Sequence, residues 1–184
     1  MTVLILGPYG AGKSTLVRRL MKPRQWEVVY RSGPLPWSYH SKDLVVYGSY
    51  EKTSRTRHGM AVFDRDPLAF DLTIRYATES KLPGLMEGGF SRAERIWMGY
   101  GPTFAKTCNI IYLDVVGEPK DRLGRKLTEA GIEDYEFRIM KATATLKKLG
   151  ATLDMIEDRQ QAMDRVCELL KLKVPTEEIE EDYR

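Results

Sequence analysis

Residues 7 to 14 read GPYGAGKS and follow directly on the apolar run Thr2 to Leu6. A short apolar run cut off by glycine reads as a buried strand ending in a turn. After it, Leu16, Val17, Leu20 and Met21 recur at helical spacing between Ser14 and Met21, and Pro23 supplies a stop. Strand, glycine loop and helix form the setting in which G-x-x-x-x-G-K-[ST] wraps a phosphate chain. Glycines let successive amide N–H groups turn inward without a Cβ clash, and the helix adds the positive end of its dipole. Gly7, Tyr9, Gly10, Ala11, Gly12, Lys13, Ser14 and Thr15 are therefore the candidate residues for binding ATP. Lys13 is expected to reach the β- and γ-phosphates, and Ser14 to ligate Mg²⁺.

The rest of the chain alternates strand and helix signals. Strands are predicted at Trp26 to Tyr30, Leu44 to Tyr47, Gly84 to Glu87, Cys108 to Val115 and Thr152 to Ile156. Helices are predicted at Pro67 to Ser80, Ser91 to Tyr100, Pro119 to Ala130, Tyr135 to Leu149 and Arg159 to Leu172. Ser32 to Pro36 and Ser49 to Gly59 read as loops. This alternation predicts a parallel sheet with helices on both faces, and ligands at the carboxyl ends of its strands.

The 184 residues, 42% of them hydrophobic, suit one domain with a sizeable core. No stretch approaches the roughly 18 consecutive apolar residues of a membrane span. The first apolar run is too short for a signal peptide and has no basic leader. Cys108 and Cys167 lie far apart and match no metal spacing, as expected of two buried thiols. A cytoplasmic protein is expected. The net charge of +3 is unevenly spread: residues 174 to 184 hold five acids against one base, so the body before them is +7. A basic body suits a polyanionic partner, and an acidic terminal segment reads as a solvated tail.

A phosphate loop does not choose a reaction. Transfer to an acceptor also needs a carboxylate near the incoming hydroxyl and cations over the moving group. Glu87, ending the strand in GLMEGGF, is placed to bind Mg²⁺ through water. In FDRDP, Asp64 is a candidate base, whereas Asp66 before Pro67 reads as a helix cap. Asp43 and Glu51 are weaker candidates, and Asp114 reads as a structural strand-end acid. Arg122, Arg125 and Lys126 in EPKDRLGRK share one helix face, which can close over the transferring phosphate. Arg92 and Arg95 in FSRAER are candidates for an acceptor phosphate.

Four features, in order along nearly the whole chain, resemble the nucleoside and nucleotide kinase group of P-loop proteins. They are GPYGAGKST, the strand ending in MEGG, YLDV followed by EPKDRLGRK, and ATLDMIED before a final helix. The resemblance implies an ATP- and Mg²⁺-dependent kinase with a three-layer α/β/α P-loop kinase fold and a five-stranded parallel sheet. It implies one domain over residues 1 to 173, a helical lid at about 117 to 148, and a flexible tail at 174 to 184. Arg122 and Arg125 then look like lid arginines and Glu87 like the second-motif acid. The chain departs from the group in having glutamate where many members have aspartate, and in lacking a clear D-R-x acceptor signature.

The middle of the chain, VVYGSYEKTSRTRHGM followed by LMEGGFSR, resembles small phage-encoded P-loop kinases. Some of these phosphorylate 5-hydroxymethyluracil within DNA, a step of thymidine hypermodification. Lys22 to His58 independently carries seven Lys or Arg against three acids, interleaved with Trp26, Tyr30, Trp37, Tyr39, Tyr47 and Tyr50. Cations among aromatics can track a backbone and stack on bases, and a base within a duplex must be flipped out before it is modified. Arg55, Arg57, Trp37, Tyr50 and Arg92 are thus the candidate contacts to a modified-base DNA. Two other readings stay open: a kinase of free nucleosides or nucleotides, and an ATPase switch acting through a protein partner.

Overall fold

All five side chains of β1 (Thr2–Leu6) are buried, and alternate residues face opposite layers. Val3 and Ile5 join one hydrophobic cluster, Leu4 and Leu6 the other. A strand apolar on both faces has to lie inside the sheet, and β1 pairs in parallel with β5 (Gly84–Glu87) on one side and β6 (Cys108–Leu113) on the other. The computed structural model describes residues 1–30, 37–50, 59–60, 67–88, 96, 99–115, 117 and 128–175.

Beyond β6 lies β7 (Thr152–Ile156), and beyond β5 lies β4 (Val45–Tyr47), both parallel to their neighbours. Here the sequence-based expectation needs correcting. Among the described residues the sheet has seven strands, not five, and is mixed, in the order β2-β3-β4-β5-β1-β6-β7. The two additional places belong to β2 (Glu27–Val29) and β3 (Ser38–His40), which extend the β4 edge in antiparallel fashion. The strand predicted at Trp26 to Tyr30 is β2, and β3 was not foreseen.

Among the described residues there are five helices. Helices α1 (Lys13–Met21) and α5 (Arg159–Leu170) cover one face of the sheet through Leu16, Val17, Leu20, Met163 and Val166. Helices α2 (Pro67–Glu79), α3 (Gly101–Thr107) and α4 (Glu129–Lys148) cover the other through Phe70, Ile74, Phe104, Ile139 and Leu146. Three layers result, with one core on each side of the sheet. Cys108 and Cys167 are buried free thiols, and burial pushes the Cys167 pKa up to about 11.

Local chemistry sets the helix ends. Thr128 caps α4 by accepting from the Gly131 amide at 3.2 Å, so this helix begins well before the predicted Tyr135. Asp158 caps α5 by accepting from the Gln161 amide at 2.7 Å. The helices predicted at Ser91 to Tyr100 and Pro119 to Ala130 fall largely outside the described residues. No helix among the described residues is long and apolar enough to cross a membrane.

Candidate functional site

The turn leaving β1 takes backbone conformations that side chains resist. Gly7, Gly10 and Gly12 have φ of 143°, 76° and 96°. A Cβ on Gly7 would sit 2.4 Å from the Leu113 carbonyl oxygen, so only glycine lets the loop leave the sheet this close to β6. Gly12 is the N-cap of α1 and offers no side-chain cap, and the first turn holds no acid. The helix therefore opens without a side-chain cap, and the positive end of its dipole favours an anion there.

Lys13 is buried, and its ammonium donates to the carbonyls of Gly7 at 2.9 Å and Pro8 at 2.6 Å. Burial pulls its pKa down from 10.5 to about 8, and the neighbouring Glu87 carboxylate only partly offsets this. Ser14 Oγ donates to Glu87 Oε1 at 2.6 Å. Glu87 ends β5 opposite Ile5 and is 5% exposed. Its Oε2 is buried with no hydrogen-bond partner. One hydroxyl and a buried carboxylate with an open oxygen suit a hard cation such as Mg²⁺, which takes oxygen ligands and retains several waters. Ser14 and Glu87 are the residues that would hold it. Among the described residues no group of three or more His, Cys, Asp or Glu could hold a metal on its own.

Two side chains frame the loop that the sequence did not single out. Arg159, the first residue of α5, donates from Nε to the Ala11 carbonyl at 3.0 Å and from Nη2 to the Gly10 carbonyl at 3.2 Å. Tyr135 of α4 packs on Tyr9 with ring centroids 4.0 Å apart and donates to the Gly7 carbonyl at 3.4 Å. The Lys13 ammonium lies 5.7 Å from the Tyr135 ring centre. Tyr50 comes up against Glu87 from β4's side. Burial, and then the Glu87 charge, push its phenol pKa well above the ordinary value. Gly59 closes this corner: at φ 58°, a Cβ there would lie 2.3 Å from the Glu87 carbonyl oxygen and 3.3 Å from the Tyr50 hydroxyl.

The candidate residues therefore part company. Gly7, Tyr9, Gly10, Ala11, Gly12, Lys13, Ser14, Thr15 and Glu87 converge at the carboxyl ends of β1 and β5. Trp37 and Tyr50 do not present their rings for stacking on a base. Trp37 is 5% exposed and its indole N–H bonds Thr73 Oγ1 at 2.7 Å, while Tyr50 is 7% exposed in the other core cluster. Both were read from composition as cation-flanked aromatics, and both instead fill the core. Asp43 lies at the opposite edge of the sheet, before β4. Burial tends to raise its pKa, but hydrogen bonds from Ser41 and Arg24 hold the carboxyl below its usual range. Asp114 is an exposed acid just after β6, whose amide bonds the Ile156 carbonyl. Asp64, Asp66, Glu51, Arg55, Arg57, Arg92, Arg95, Arg122, Arg125 and Lys126 lie outside the described residues.

No family model matches the chain, and no curated protein matches it. Among solved structures it is similar to a shikimate kinase from Acinetobacter baumannii in complex with shikimate. The two are 15% identical with a TM-score of 0.49, over 92% of this chain and 93% of that one. At that score the likeness transfers no residue role, and the site stands on its own geometry.

Proposed function

We propose that this chain is an ATP-dependent kinase that moves the γ-phosphoryl group to a hydroxyl, with 5-hydroxymethyluracil in DNA as the acceptor. The single observation that carries the phosphotransfer reading is the Lys13, Ser14 and Glu87 cluster at the head of α1. There a cation, a hydroxyl and a buried carboxylate meet at a helix start that has no side-chain cap. The acceptor is read from the resemblance of the middle segment to phage-encoded kinases.

In this mechanism the loop amides and Lys13 bind and orient the triphosphate. Mg²⁺, when bound by Ser14 and Glu87, supplies charge neutralisation. Asp64 takes the proton of the acceptor hydroxyl, whose oxygen forms the new bond to the γ-phosphorus as the bond to the β-phosphate oxygen breaks and ADP leaves. Arg122 and Arg125 offset the charge on the transferring group. Of the lid expected at about 117 to 148, the part before α4 would serve, since Ile139, Ala142 and Leu146 bury α4 in the core; residues 1 to 173 act as one catalytic domain, with the acidic segment 174 to 184 as its tail. Arg55, Arg57 and Arg92 contact the acceptor.

A second reading, a kinase of a free nucleotide, is favoured by the burial of Trp37 and Tyr50, which removes two of the rings expected to grip a flipped base. One experiment separates the two. The protein is incubated with γ-labelled ATP and a panel of normal DNA, 5-hydroxymethyluracil DNA and free nucleotides. Label on the modified DNA supports the first reading, label on a nucleotide alone supports the second, and slow ATP hydrolysis with no labelled acceptor supports a switch ATPase. Lys13→Ala is expected to abolish transfer, and Asp64→Asn to lower turnover far more than ATP affinity.

A further inference from the structure

Strands β1, β4 and β5 run parallel, so α1 and α5 carry the chain back to the edge of the sheet opposite the phosphate loop. At nine residues, α1 sets that edge roughly 13 Å from the loop. There the end of α1, the turn between β3 and β4, and the segment after α5 enclose a cleft of about 1230 Å³. Its cations are Arg19, Lys22, Arg24, Lys42, Lys171 and Lys173. Against them stand Glu27 and Asp43, and Asp43 is already engaged by Arg24 at 3.3 Å.

Part of this charge has a local explanation. Lys22 and Lys171 are the C-caps of α1 and α5, where a cation offsets the helix dipole, and Arg24 donates to the Leu20 carbonyl. Lys42 and Lys173 lie on no helix, and both are exposed. Arg19 has a buried Nε–H without a hydrogen-bond partner, in the wall of the cleft. A buried N–H of this kind costs free energy until an acceptor arrives. The cleft is half open to solvent, so an extended chain could enter and leave it.

We propose that this cleft is a docking groove for a nucleic-acid phosphodiester backbone, separate from the phosphate loop. The other anion within reach is the chain's own terminus. Pro175 lines the cleft, and the nine residues after it hold five acids. An exposed ion pair gains less than it costs to fix the residue that carries it. Five carboxylates therefore do not offset the ordering of nine residues. A phosphate backbone gains from counterion release with every cation it meets.

The test is fluorescence anisotropy of a labelled 20-nucleotide oligodeoxythymidylate, without ATP or Mg²⁺, so that it fails or succeeds apart from the kinase reading. The full-length chain is expected to bind, with log K falling by about 0.7 per log unit of salt for each phosphate contact. The triple variant Lys42→Glu, Lys171→Glu, Lys173→Glu changes exposed side chains outside the phosphate site. It is expected to bind at least about tenfold more weakly at low salt, with a slope shallower by about 2. An unchanged melting temperature, and the milder loss expected of the corresponding triple Gln variant, exclude misfolding as the cause. Removing residues 176–184 is expected to change affinity by less than about threefold. No binding by the full-length chain, equal binding by the triple variant, or binding only after the tail is removed would each overturn the proposal; the last would make the tail the occupant.

Discussion

Ser14 Oγ and Glu87 Oε1 are 2.6 Å apart, a hydrogen bond that ties the first turn of α1 to the last residue of β5 across 73 positions of sequence. Neither residue is placed by the other's local sequence. They meet because β5 pairs in register with β1, setting Glu87 opposite Ile5 just before the loop.

Glu87→Gln keeps the shape of this contact and removes the charge. The Mg²⁺ concentration for half-maximal activity is expected to rise about 10- to 100-fold, the usual cost of disturbing a metal's support. ATP affinity without metal should stay within about threefold. Metal titration of phosphoryl transfer beside metal-free calorimetry checks this, and an unchanged Mg²⁺ midpoint would remove Glu87 from the site.

ATP affinity should depend on pH through Lys13. Its folded pKa, about 8, lies below the ordinary 10.5, so the side chain loses its charge as pH rises through 8. A triphosphate needs the ammonium, and binding above pH 8 must take up a proton. Affinity is therefore expected to be level below pH 8 and to fall above it, by up to about tenfold per pH unit. The same burial destabilises the folded protein below pH 8, and that cost fades between 8 and 10.5. Calorimetry of Mg-ATP binding from pH 7 to 9.5 tests the first statement, and Lys13→Met should abolish the slope.

Arg159 braces the loop by donating to the Ala11 and Gly10 carbonyls. Arg159→Ala is expected to weaken ATP binding about tenfold, in line with losing a charge-assisted pair of hydrogen bonds. Arg159→Lys should recover less than half of this in free energy, since one ammonium does not reproduce the two-pronged fork. A raised KM for ATP with kcat nearly intact is the signature of positioning; a loss confined to kcat would assign Arg159 a different role.

Gly59→Ala is expected to destabilise the protein by about 2 kcal/mol or more. Its positive φ and the 2.3 Å approach of a Cβ to the Glu87 carbonyl both resist a side chain. Urea denaturation measures it. A neutral result would mean that the corner around Glu87 yields freely.

Much of the sheet was legible because its strands are short apolar runs punctuated by glycine and proline. Gly84–Glu87 and Thr152–Ile156 were predicted to the residue. The stretch Ser38–His40 was not, since Ser-Tyr-His has no strand pattern of its own and pairs only because β4 offers an edge. The seven-residue α3, opening on Gly101-Pro102, is too short for periodicity to register. At the site, the glycine-rich motif is contiguous in sequence, and its Gly7, Gly10 and Gly12 adopt the positive φ that such a motif needs. Arg159 and Tyr135 reach it from more than a hundred residues away, through carbonyls and a ring face that leave no local signature. Trp37 and Tyr50 misled because a list of cations and aromatics does not say which way a ring points.

The placement of β1 between β5 and β6, with every side chain covered, has a dynamic consequence. Amide protons of Val3 to Leu6 should exchange at the rate of global unfolding, while those of the edge strand β2 escape through small openings. The glycine loop that follows β1 is thus moored to a strand expected to be among the last parts of the molecule to open.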